Sequence, residues 1–95
     1  MEIKSAAFVV RHRENVWEGL RSAAGLGMEN VAVSVFLLAE LLEEDLGELL
    51  EMLEDLEGQV YTVSVMDARR YGSLRRLEVR TMAGLIKACD LVVGF

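Results

Sequence analysis

Four side chains capable of chemistry or ligand contact cluster in the segment QVYTVSVMDARRYG, residues 59–72: Ser64, Asp67, Arg69 and Arg70. A carboxylate and two guanidinium groups in a polar turn suit contact with an anion or a protein partner, because arginine presents a planar fork of donors to carboxylate and phosphate oxygens. The same groups equally suit a solvated turn or a salt bridge. Ser64 has no Gly-x-Ser-x-Gly elbow around it and no histidine after it, which argues against serine-hydrolase chemistry. His12, the single histidine, stands beside Arg11 and Arg13 at the end of the first predicted strand. It is either an ordinary loop residue or a site participant, since ligands gather at the carboxyl ends of strands in open α/β sheets. A lone histidine without a Cys, Asp or Glu cluster makes no metal site.

Cys89 is the single cysteine, so an internal disulfide and a multi-cysteine zinc site are both excluded. It falls on the apolar face of the last predicted helix and reads as a structural thiol. A reactive one needs exposure and a neighbour that stabilises the thiolate. Gly25 and Gly27 follow a helix rather than joining a strand to a helix, so they form no phosphate loop. Nothing in these patterns calls for a cofactor.

The elements that must position these residues are legible as periodicity. Residues 3–10 and 31–38 are near-continuous apolar runs, as strands covered on both faces show. Residues 11–14 form a polar loop. Asn15 with Glu18 three residues later starts a helix carrying Val16, Leu20, Ala23 and Ala24, which ends at Gly25 and Gly27. Leu42, Leu46, Leu49 or Leu50, Leu53 and Leu56 repeat at helical spacing, and Gly58 closes that helix. Residues 60–66 predict a third strand and 67–73 its exit loop. Residues 74–80 alternate as a short half-exposed strand. Thr81 caps a last helix over 82–89, and 91–95 form a terminal strand. The alternation predicts one α/β domain spanning residues 1–95. Its architecture is a three-layer α/β/α sandwich with a mainly parallel sheet of four or five strands.

Composition adds limits. The chain has 95 residues, of which 53% are hydrophobic, high for a solitary small domain, and this predicts an oligomer. No apolar run reaches the roughly 20 residues of a membrane span. The opening MEIKSAAFVVRHRE lacks the order of a signal peptide, so a cytoplasmic protein without membrane contact is expected. A net charge of −6 argues against direct nucleic-acid binding. That charge is segregated. Residues 40–57 hold nine acids and no base, whereas 69–80 hold five arginines against Glu78. The split is either two solvated surfaces or a pair of complementary association surfaces.

Three blocks carry a family resemblance: WEGLRSAAGLGMENVAVSVFLL, VYTVSVMDARRYG and TMAGLIKACDLVVGF. With them the chain resembles the DsrE/DsrF/DsrH-like family, which includes the TusBCD-type sulfur-relay proteins. The resemblance implies a small α/β/α sandwich that assembles into dimers, trimers or hexamers. It also implies a cysteine at the end of the third strand that carries a persulfide. Ungapped alignment of the third strand places Ser64 at that position, and a serine hydroxyl forms no persulfide. The Gly-Asp-Gly frequent after the family's second strand is replaced by Leu38-Ala39-Glu40-Leu41.

The expectation is therefore a non-catalytic, oligomeric accessory or partner subunit in intracellular sulfur transfer, built as a homo-oligomer or with related subunits. The alternative is a small-ligand or anion-binding α/β module around His12, Asp67, Arg69 and Arg70, or a sulfur-transfer enzyme using Cys89. A receiver-like domain is disfavoured, because Arg11, His12 and Arg13 stand where a receiver needs acids.

Overall fold

The computed structural model describes residues 2–41 and 46–95. Five strands form one sheet in the order β4-β3-β2-β1-β5, and every neighbouring pair is parallel. They are β1 (Ser5–Val10), β2 (Ala32–Leu37), β3 (Gln59–Thr62), β4 (Leu74–Arg76) and β5 (Leu91–Gly94). The helices are α1 (Val16–Gly27), α2 (Gly47–Asp55), α3 (Val65–Arg70) and α4 (Val79–Lys87), with a short 3-10 turn at Arg13–Asn15 before α1. The expected α/β architecture is present, with five strands, all parallel.

The connections explain the layers. The chain steps from β1 to β4 in one direction across the sheet, then returns through α4 to place β5 beside β1. Parallel crossovers are right-handed, so reversing direction sends α4 to the opposite face. The buried side chains divide accordingly. On the front, Phe8, Val10, Val35, Leu37 and Val60 pack with Leu20 and Ala23 of α1 and with Leu50 and Leu53 of α2. On the back, Ala7 and Phe36 pack with Met82 of α4, joined by half-buried Tyr61, Ile86 and Cys89. Phe36 and Tyr61 stack there at 5.2 Å between ring centroids. Gly19 lets α1 approach β1 closely, because a Cβ at that position would lie 2.6 Å from Val10 Cγ2.

Several boundaries differ from the sequence expectation, each for a local reason. The third strand stops at Thr62, and residues 65–70, expected as strand end and loop, form α3. Ser64 nucleates that helix by accepting a hydrogen bond from the Asp67 N–H at 3.2 Å. The strand expected over 74–80 ends at Arg76. α4 begins at Val79 behind Glu78, which occupies the N-cap position without a side-chain cap, so Thr81 lies inside the helix. Asn15 likewise precedes α1 without making a side-chain cap bond. α1 runs through Gly25 to Gly27, and the left-handed residue beyond it is Asn30, φ 62°. After α2 that role falls to Glu57, φ 61°, and the Gly58 N–H closes the turn onto Leu53 O at 2.8 Å. The α2 expectation includes Leu42, which lies outside the described residues.

Candidate functional site

The segment 59–72 occupies a distinctive place in the topology. The crossover leaving β4 passes to the opposite face from those leaving β1 and β2, and β3 pairs directly with β4. The β3–α3 corner thus sits where crossovers diverge, the usual position of a binding crevice in an open α/β sheet. The Leu77 N–H closes this end by donating to Thr62 O at 3.0 Å.

The polar groups of that corner are engaged with the backbone. Thr62 is fully buried, and its Oγ1 accepts from the Ser64 N–H at 3.1 Å. Ser64 is 6% exposed; its Oγ accepts from the Asp67 N–H and lies 3.5 Å from Glu40 Oε1, to which it donates. Asp67 is 3% exposed, and its Oδ2 accepts from the Leu41 N–H at 2.7 Å. The carboxylate therefore fastens the β3–α3 corner to the segment leaving β2. Sequence alone had no signal for that bond, since its partner lies 26 residues away.

The predicted site residues separate into two sets. Ser64 and Asp67 come together, buried, as structural partners. Arg69 and Arg70 are exposed on the last turn of α3, where the Arg70 guanidinium lies 5.3 Å from the centre of the Tyr71 ring. His12 is exposed at the other side of β2, just beyond β1. The four most prominent grooves of the described surface are lined by other residues than His12, Asp67, Arg69 and Arg70. Cys89 is half-buried against the back cluster, and its Sγ lies 3.6 Å from Leu85 O. Among the described residues no group of three His, Cys, Asp or Glu side chains converges to hold a metal ion. No described helix is long and apolar enough to cross a membrane.

A second feature is the exposed apolar side chains on both faces, which no sequence periodicity marks. The front bears Trp17, Met28 and Met52 around a groove of about 300 Å³ between α1 and α2. The back bears Val79, Leu85 and Val92 around α4 and β5. Surface apolar residues gathered in this way mark contact surfaces more often than catalytic ones.

No protein-family model matches the chain, and no curated protein matches it.

Proposed function

We propose that this protein is a non-catalytic, associating subunit of the DsrE/DsrF/DsrH-like type, acting as an accessory or partner in intracellular sulfur transfer. The observation that carries the reading is Ser64. At the corner where the resemblance calls for a persulfide-bearing cysteine, the chain has a buried hydroxyl committed to capping α3. A hydroxyl there serves folding and carries no sulfur. The exposed apolar residues on both faces support association, with copies of itself or with related subunits. The reading needs no cofactor and no nucleic acid; a cytoplasmic setting accords with it.

Anion binding is less well supported by the geometry, since Asp67 is occupied by Leu41 and the two arginines line none of the grooves described. The test has two arms. The native chain is incubated with inorganic polysulfide and weighed by mass spectrometry before and after thiol reduction. It is expected to retain no sulfane sulfur. Sedimentation velocity at micromolar concentration is expected to give a species heavier than the 10.6 kDa chain. Sulfur held on Cys89 would overturn the non-catalytic assignment, and a monomer would overturn the subunit assignment.

A further inference from the structure

The two faces of the sheet are dressed unequally. Five strands spaced about 4.8 Å apart span roughly 20 Å, whereas a helix with its side chains is about 10 Å wide. On the front, α1 and α2 lie side by side. On the back, the single nine-residue α4 must cover the sheet. Its buried stripe is Met82, with Ile86 and Cys89 half-buried beside it. Apolar side chains on either side of that stripe stay open, Val79 60% and Leu85 40% exposed, and Val92 of β5 is 51% exposed. The back therefore has an apolar layer that the chain itself leaves incomplete.

Charge selects what completes it. The back carries Arg75, which is in register with Tyr61 on β3, together with Arg80 and Lys87 on the outer side of α4. Nearby acids are Glu78, at the α4 N-cap, and Asp90, whose carboxylate accepts from the Lys4 and Ser5 N–H groups. Two such backs placed together would juxtapose like charges. The α1–α2 part of the front has the opposite character, whereas the exposed Arg69 and Arg70 lie farther across that face on α3. The α1–α2 groove is lined by Trp17, Met28, Leu49 and Met52, and α2, which supplies Leu49 and Met52, carries Glu48, Glu51 and Asp55 on its exposed surface. The basic group there, Arg21, is stacked over the Trp17 ring at 5.1 Å. Among the described residues, none of Arg75, Arg80, Lys87, Glu48, Glu51 and Asp55 makes an ion pair within the chain.

We propose that copies of this chain associate front to back, with the basic, apolar α4 face of one copy seated on the acidic, apolar α1–α2 groove of the next. This deepens the subunit assignment above and rests on its associating half, not on sulfur chemistry. Because the two surfaces differ, the contact is heterologous, and its symmetry is that of a ring or an open stack rather than a two-fold dimer.

Charge reversal tests it. A front variant carries Glu48→Lys, Glu51→Lys and Asp55→Lys; a back variant carries Arg75→Glu, Arg80→Glu and Lys87→Glu. All six positions are exposed, and circular dichroism with thermal melting verifies that each variant folds. Each variant alone is expected to dissociate at least about tenfold more readily than the unaltered chain in sedimentation velocity. An equimolar mixture is expected to recover association, because the lysine front then meets the glutamate back. Association of the front variant at the unaltered strength would overturn the front-to-back mode while leaving the subunit assignment standing. So would a mixture no better than its components. A monomeric unaltered chain would remove both.

Discussion

The Asp67 carboxylate holds the Leu41 N–H at 2.7 Å, joining the β3–α3 corner to the segment leaving β2 through a bond shielded from water. Asp67→Ala leaves that N–H without an acceptor and is expected to cost about 1–3 kcal/mol of stability. Asp67→Asn keeps an acceptor oxygen in place and removes a buried charge, so it is expected to stay within about 1 kcal/mol of the unaltered chain. Urea denaturation ranks the two. An equal loss in both would show that the charge, rather than the acceptor, does the holding.

Ser64 and Thr62 form one relay, since Thr62 Oγ1 accepts from the Ser64 N–H while Ser64 Oγ accepts from the Asp67 N–H. Ser64→Ala is expected to destabilise by about 1 kcal/mol through loss of the cap. Thr62→Val leaves a buried N–H unpaired, at a cost of about 1–3 kcal/mol. Adjacent hydrogen bonds couple, so the double variant is expected to lose at least about 0.5 kcal/mol less than the sum of the single losses. Strict additivity in a double-mutant cycle would mean that the two bonds act independently.

Gly19→Ala puts a methyl group 2.6 Å from Val10 Cγ2, and Val10 is fully buried and β-branched. Helix propensity favours the substitution by up to about 1 kcal/mol. Overpacking a fixed neighbour opposes it by about 1–3 kcal/mol. The expected sum is a loss of roughly 1 kcal/mol or more, read as a lowered thermal midpoint. A raised midpoint would show that α1 can lift from β1 without penalty. Val10→Ala in the same background separates the clash from the general cost of a smaller core.

Glu57 adopts a left-handed backbone, φ 61°, that L-residues other than glycine enter at a cost of about 1–2 kcal/mol. Glu57→Gly removes that strain but increases the freedom of the unfolded chain, by roughly 0.4–1 kcal/mol. The net expectation is a small gain, seen as a thermal midpoint higher by up to about 5 °C. A lower midpoint would place the Glu57 side chain in a stabilising role.

Trp17 is the chain's one tryptophan and is 49% exposed at the front groove. Its emission is therefore expected to shift to shorter wavelength as concentration rises through the association range. Added salt should reverse the shift, since exposed charges are screened over about 10 Å at 0.1 M. An emission maximum independent of both variables would take the groove out of the contact.

The strands with uninterrupted apolar runs, β1 and β2, were visible in the sequence because both of their faces are covered. α3 was not, because Val63, Val65 and Met66 extend the β-rich run of Tyr61 and Thr62. Its local signal was present in Ser64 with Asp67 three residues on, a cap pattern outweighed by the β-branched residues before it. α4 starts three residues before the expected Met82, because Glu78 takes the N-cap position without a capping bond while Thr81, which carries the hydroxyl a cap uses, lies inside the helix. The site residues divided by sequence distance. The Ser64–Asp67 bond spans one helical turn and was readable in principle, whereas the Asp67–Leu41 bond depends on how β2 and β3 align. The charge segregation was plain in the chain, but only the layers show that the basic run divides, Arg75 and Arg80 lying on the back while Arg69 and Arg70 sit on α3 in the front layer.

The strand order carries a consequence for how the molecule is made. β1 meets β2 across 27 residues, from Ser5 to Ala32, but its other edge is completed by β5, and the Lys4 N–H reaches Asp90 across 86. Closing the longer loop costs about 1 kcal/mol more in chain entropy than closing the shorter one. β5 is therefore expected to dock last and leave first, with amide exchange faster along it than along β2. Until it arrives, the outer edge of β1 offers a parallel-strand vacancy that β5 of another molecule could fill. Refolding at high concentration is accordingly where strand-exchanged dimers should form.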